Sequence, residues 1–416
     1  MRRVVAAACV AAFAVAPLLL GALPLGRGVA LGVAVLALAG VVAVWRAPGL
    51  ALSVAAVGLT LATADLATRP FLNRVHVRAE DRYARLWRVD PSGVAHDANV
   101  DVLWPTVGNL AAQGGAVREP RTVHFRTDAH GFRTDPLDGP AEVVLLSDSF
   151  GAGVGSSQEV LAAARLTARY GLPTVNLSVS GASPYDEAVT LAATLDGLDL
   201  APDATLVWML FAGNDFEGTC EATVPGPPSA WNRLRAWVAT VRVRSVIGYL
   251  FRRLRAEPPV PSLRHLPDGT PMTFYAPDLA HADLTEEEAS ALPQAACVRG
   301  VVPEVQRLAA SRGLRLIVAV APMKVQVYGR YVGLGDPVGG PTAALRSFAA
   351  ARGIPVVDLE PALAEAARAG LPEGRLVWWR DDTHWNAAGH AVVARVLADA
   401  IRADTSGIHE SGASVR

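Results

Sequence analysis

The chain has 416 residues, 51% of them hydrophobic, with 38 Lys+Arg against 39 Asp+Glu for a formal net charge of −1. That balance lacks the basic face a nucleic-acid binder needs, and this apolar content excludes disorder for most of the chain. Three cysteines cannot build a disulfide-dense scaffold or a CxxC zinc site.

Residues 4–64 carry only Arg27 and Arg46 as charges. Three uncharged runs, 4–26, 28–45 and 47–64, follow one another. Each is close to the roughly 20 residues that cross about 30 Å of hydrocarbon as a helix. They predict about three transmembrane helices within residues 1–68. Two spans, or a signal peptide led by Arg2 and Arg3, are the alternatives. Loop charge does not set the orientation, because Arg2, Arg3 and Arg46 oppose Arg27, Arg69 and Arg74. Three spans with the N-terminus inside would place residues 70–416 outside the cytoplasm. Cys220 and Cys297 could pair there, two unrelated buried thiols being the alternative.

Residues 69–140 read as a linker and β-rich lead-in, with β-like pieces at Arg74–Arg78 and Thr122–Arg126. From residue 141 the pattern alternates. Short apolar runs at Val143–Leu146, Thr174–Leu177, Thr205–Leu210, Leu314–Val320 and Pro355–Asp358 fit strands buried on both faces. Helical stretches lie between them, at about 157–169, 184–196, 285–312, 341–352, 360–369 and 386–404. The alternation predicts an α/β domain over 141–404, a five-stranded parallel sheet with helices on both faces. An insertion, 216–285, interrupts it. Within the insertion, Trp231–Arg255 interleaves arginines with apolar residues. It reads as a helix packed on the domain with a solvated basic face, or as a membrane-surface helix or lid. Residues 405–416 read as a disordered tail.

Four motifs fall at strand ends or before the last helix. They are Ser147-Asp148-Ser149-Phe150-Gly151, Asn176-Leu177-Ser178-Val179-Ser180-Gly181, Ala212-Gly213-Asn214-Asp215 and Asp381-Asp382-Thr383-His384-Trp385-Asn386. In parallel α/β sheets the active groups sit at the carboxyl ends of strands. Ser149 is a candidate nucleophile, and a serine hydroxyl needs a base to take its proton. His384 is the candidate base, and Asp381 could hold its other ring nitrogen. The backbone N–H groups of Ser149 and Gly181 and the Asn214 amide could receive an oxyanion. Singly, each motif reads as a cap or a turn; their joint order carries the chemistry. No HExxH or P-loop pattern occurs, and no metal or cofactor is expected. Gly151, Gly153 and Gly155 do not complete a dinucleotide fingerprint.

The four blocks resemble those of the SGNH/GDSL hydrolase superfamily, whose Ser, Gly, Asn and His fall here on Ser149, Gly181, Asn214 and His384. The resemblance covers about residues 125–404. It departs at Ser147 and Ala212, where the family carries glycines. It implies a flavodoxin-like three-layer α/β/α fold. The stretch Asp128-Ala129-His130-Gly131-Phe132-Arg133 is similar to the lead-in of membrane-anchored members. The common Asp-x-x-His spacing selects Asp381 as triad acid; the Asp-x-His spacing of polysaccharide O-acetyltransferase-like members selects Asp382. Similarity around Ala321–Tyr328 implies that Lys324 lines the site, a solvated lysine being the alternative. His130 and His390 read as structural. The implied activity is that of a membrane-anchored serine esterase or O-acyltransferase on acyl, chiefly acetyl, esters of a cell-surface carbohydrate. A transferase would need a membrane partner protein that delivers acyl groups. A non-catalytic glycan-binding or scaffold subunit and a lipid-directed esterase are the alternatives.

Overall fold

The computed structural model describes residues 60, 63–64, 87–90, 93–213, 215, 261–293 and 295–412. The apolar runs of residues 4–64 (apart from those three positions), the segment 216–260, Asn214 and Cys220 lie outside the described residues. Among the described residues no helix is long and apolar enough to cross a membrane. The chain divides into two units, residues 1–91 with 227–258, and residues 92–226 with 259–416. The first is described only at residues 60, 63–64 and the strand β1 (Trp87–Asp90). Everything below concerns the second.

Its strands are β2 (Gly93–His96), β3 (Asp101–Thr106), β4 (Arg121–Arg126), β5 (Ala141–Ser147), β6 (Thr174–Asn176), β7 (Leu200–Phe211), β8 (Ser262–His265), β9 (Pro271–Phe274), β10 (Arg315–Ala321) and β11 (Val356–Asp358). Five of them form one sheet in the order β11-β10-β7-β5-β6, paired in parallel throughout. The five expected strands are these five. Ala204–Phe211 of β7 is buried at every position, as a central strand covered on both faces must be.

Helices Pro184–Thr194, Ala295–Ser311 and Gly340–Ala350 pack in succession, and so do Ala162–Tyr170, Ala387–Gly412 and Glu360–Gly370. The handedness of crossovers explains the two groups. A step from β5 outward to β6 and the steps through β7, β10 and β11 run in opposite directions. Right-handed crossovers therefore put their helices on opposite faces. In renumbered form the order is 2-1-3-4-5, the flavodoxin-like order, whose switch point lies between the first and third strands. Here that is the crevice at the carboxyl ends of β5 and β7.

Three expectations change. The stretch 285–312 is two helices, Glu286–Ala291 and Ala295–Ser311. Pro293 disfavours helical geometry at Leu292, which is extended with φ −58° and ψ 139°. The tail expected to be disordered from 405 continues the last helix to Gly412, because no proline interrupts Ala387–Gly412. The lead-in is more than a linker. β3 and β4 form an antiparallel pair, and the segment between them docks on the loop before the last helix. There Leu110 N–H and Ala111 N–H both donate to the Asp381 carbonyl, at 3.1 and 3.2 Å.

Gly108 makes that docking possible. A Cβ at this position would collide with the Asp381 main chain. Gly108→Ala is expected to cost about 1–3 kcal/mol, the usual range for forced overpacking. A lowered urea midpoint with unchanged far-UV circular dichroism is the result to look for.

Candidate active site

β5 ends at Ser147, and after Asp148 a short helix begins, Ser149–Ala152. Asp148 caps it, its Oδ1 accepting from Phe150 N–H at 2.9 Å. This places Ser149 on the first turn, at the mouth of the switch-point crevice. Gly151 lets the turn pack against the second block, since a Cβ there would collide with Ser178 Oγ and lie 2.7 Å from Ser147 Cβ. Asn176 Nδ2 donates to Gly151 O at 3.0 Å and ties the two blocks together. Gly181 has φ +78°, a left-handed conformation suited to glycine.

Ser149 Oγ lies 2.8 Å from His384 Nε2. His384 Nδ1 lies 2.7 Å from Asp382 Oδ1. A carboxylate only accepts, so Nδ1 carries the proton and Nε2 is left to accept from the Ser149 hydroxyl. Asp148 Oδ2, at 3.2 Å, is the more distant alternative acceptor for that hydroxyl. Phe150 packs on the imidazole with ring centroids 4.9 Å apart. Ser149 and His384 are each 7% exposed, against 1% for Asp382. The reacting groups face the crevice and the acid is sealed behind them.

The preferred assignment of Asp381 to His384 is corrected by this geometry. The Asp381 carboxylate turns toward the lead-in. Its Oδ2 accepts from Gly108 N–H and Glu119 N–H, both at 2.8 Å. Its Oδ1 accepts from Arg121 at 2.9 Å. Arg121 also donates to Asp382 Oδ2 at 2.6 Å, so one guanidinium holds both carboxylates. Burial alone would raise the Asp382 pKa. The hydrogen bond and charge of His384 and the charge of Arg121 outweigh it, and the carboxyl lies below its usual value.

Lys324 also departs from expectation. It is buried rather than solvated. Its ammonium donates to four main-chain carbonyls, those of Thr273, Trp379, Arg380 and Asp382, at 2.8, 2.7, 3.2 and 3.0 Å. His390 is buried, with Nδ1 accepting from Trp385 Nε1 at 3.1 Å. Desolvation lowers its pKa to about 3. His130 is exposed. Cys297 is disulfide-bonded, and its expected partner Cys220 lies outside the described residues, as does Asn214. At the end of β7, Asp215 Oδ2 accepts from Phe211 N–H at 2.6 Å.

Several supporting residues escaped sequence reasoning. Arg121 lies about 260 positions from the acids it binds, with no local signal of that role. Arg133, at the end of the lead-in motif, is buried and donates to the carbonyls of Ala152, Gly153 and Ser156 at 2.9, 3.0 and 3.1 Å. It fixes the loop after the Ser149 turn. Glu187 is buried beneath β7 and accepts from Trp208 Nε1 at 2.6 Å. Burial first, then the neighbouring Asp215 and Asp148, raises its pKa well above the usual value.

Residues 279–415 match the family described as the SGNH hydrolase-like domain of acetyltransferase AlgX. Among curated proteins, the probable alginate O-acetylase AlgJ of Pseudomonas aeruginosa is 36% identical over 110 residues, 26% of this chain and 26% of that protein. The match thus spans about a quarter of that relative's length. Among solved structures, a G-D-S-L family lipolytic protein from Veillonella parvula is 14% identical. It aligns over 62% of this chain and 96% of its own, with a TM-score of 0.33. A Corynascus thermopiles carbohydrate esterase family 2 enzyme with a carbohydrate-binding domain is also 14% identical. It aligns over 70% and 74%, with a TM-score of 0.32. The chain is similar to the SGNH/GDSL superfamily and, within it, to polysaccharide acetyltransferase-like members.

The two aspartates separate by substitution. Asp382→Asn should slow phosphonylation of Ser149 by a fluorophosphonate by about 10³–10⁴-fold, because the amide favours the wrong imidazole tautomer. Asp381→Asn should instead lower the melting temperature, through about 1–3 kcal/mol of disrupted buried hydrogen bonding. Its folded form should be labelled within about tenfold of the wild-type rate, since direct contact with His384 is kept. The reverse pattern would restore Asp381 to the histidine.

Proposed function

We propose that this chain is a serine esterase or O-acyltransferase acting on acyl esters, most simply acetyl esters, of a carbohydrate. The reading rests on one observation, the hydrogen-bonded series Ser149–His384–Asp382 with contacts of 2.8 and 2.7 Å at the switch-point crevice. The similarity to an AlgX-type domain and to a probable alginate O-acetylase supports the carbohydrate and the acetyl group.

In this mechanism Ser149 Oγ attacks the ester carbonyl while His384 Nε2 takes its proton. Asp382 stabilises the imidazolium without accepting the proton. The carbonyl oxygen becomes an oxyanion, received by the N–H groups of Ser149 and Gly181 and by the Asn214 amide. The intermediate collapses as the C–O bond to the leaving alcohol breaks, and His384 returns the proton to that alcohol. An acyl-Ser149 remains. Water or a sugar hydroxyl then attacks it, deprotonated by His384, and the serine is released. Esterase and transferase share every one of these residues and differ only in the second nucleophile.

The apolar runs of residues 4–64 support an integral membrane anchor, with the acyl chemistry placed outside the cytoplasm. A Cys220–Cys297 bond fits that compartment. A transferase so placed would draw its acyl groups from a membrane partner protein.

The test compares the full chain with Ser149→Ala on p-nitrophenyl acetate. Loss of at least about a thousandfold in turnover is expected, with what remains coming from binding and the oxyanion donors. Mass spectrometry of a quenched reaction should find acetyl on Ser149 in the wild type. Turnover equal in the two proteins would overturn the reading. A wild type that acetylates on Ser149 and gives up the acetyl group only to an added glycan acceptor, as a new acetyl ester, is a transferase.

A further inference from the structure

We propose that Lys324 is a positioning residue: its buried ammonium gathers four main-chain carbonyls around the Asp382 turn and thereby keeps that carboxylate within reach of His384. The inference rests on Ser149, His384 and Asp382 being the reacting set.

The four acceptors come from two places. Trp379, Arg380 and Asp382 belong to the loop that carries the acid, and Thr273 belongs to β9, at the described end of the insertion. β9 is itself tied to the loop, with Thr273 N–H and Oγ1 both donating to Arg380 O, at 2.9 and 2.8 Å. Lys324 stands on the first turn after β10. Its ammonium thus pins the acid's own peptide to the sheet on one side and to the hairpin on the other. Carbonyls that converge on one point repel one another, and a buried cation is what allows them to converge.

An ammonium has three N–H donors for these four oxygens, and a neutral amine has only two. The charged form is therefore the one that holds the loop. Burial lowers the Lys324 pKa to about 7, while Asp382, Asp381, Glu119 and Asp278 draw it upward. Of these carboxylates, Asp382 and Asp381 are already paired with Arg121, and Glu119 with Arg380. Asp278 comes from the helix Ala276–Ala282 and is buried. The Phe274 ring centroid lies 5.4 Å from the ammonium.

The experiment measures fluorophosphonate labelling of Ser149 in the full chain, wild type against Lys324→Met and Lys324→Gln, at one fixed pH. Amide exchange over residues 376–385 is followed alongside. Lys324→Met should label about 100-fold more slowly, the usual consequence of about 1 Å of misplacement. Its exchange should quicken in 379–382 while the sheet stays protected. Lys324→Gln, whose neutral amide still offers two N–H donors to these carbonyls, should partly restore the rate. Labelling of folded Lys324→Met at the wild-type rate would overturn the proposal. So would slow labelling accompanied by loss of protection throughout the sheet, or failure of both variants to fold, since either makes Lys324 a folding residue only. A wild type that does not label at all overturns the serine reading, and this inference with it.

Discussion

Arg121 binds two adjacent carboxylates from one buried guanidinium, and the rest of the site depends on that contact. Its side chain is 8% exposed, and those of Asp381 and Asp382 are 0% and 1%. At such burial the paired cation is essential to both, because removing one partner leaves an uncompensated charge that costs about 3–5 kcal/mol. The guanidinium is suited to the task because its flat fork presents separate N–H groups to separate oxygens. It lies with its central carbon 4.2 Å from the Trp379 ring centroid, so the ring closes one face of the ion. The Asp381–Asp382 turn can therefore be both charged and dry.

From that clamp the geometry propagates outward. Asp381 gives both its carboxylate and its carbonyl to the lead-in and fastens residues 108–111 and 119 over the loop. Asp382 is left with one oxygen toward Arg121 and the other toward His384. Two neighbouring acids thus take opposite duties, one structural and one facing the imidazole. The lead-in acts a second time through Arg133, which grips the carbonyls behind the Ser149 turn. The sheet fixes where β5 ends and the last helix begins. The lead-in fixes how the side chains at those points are aimed.

This division explains what was legible in the sequence. The five strands could be read because a strand covered on both faces must be apolar at every position, and Ala204–Phe211 carries that pattern openly. The Ser149 and His384 motifs could be read because each sits at a strand end or helix start. The choice between Asp381 and Asp382 could not be read locally. Both lie within reach of His384 along the chain, and the choice is made by Arg121, Gly108 and Glu119, far away in sequence. Lys324 was opaque for a similar reason. A lysine after a strand reads as solvated or substrate-facing, and nothing local shows that four carbonyls converge on it. The break at 292–294 was legible in principle, since Pro293 carries the signal within an otherwise helical stretch.

The same environment sorts the buried acids by protonation. Asp382 is held below the usual carboxylate range by a cation and an imidazole. For Glu187 and Asp215 burial is the largest cause, and it drives both well above that range. Asp148 adds to that rise in each case. Carboxyl groups pushed apart in this way mark their roles, because only an ionised acid can orient and stabilise an imidazolium. A neutral acid can still donate or accept within the core. Glu187 and Asp215 take such roles, bonded to Trp208 and to the Phe211 backbone under the sheet end. The negative charge that the histidine needs is thereby concentrated at Asp382, on the side of the imidazole away from Ser149. In the proposed mechanism it would stabilise the imidazolium there without standing beside the oxyanion at Ser149.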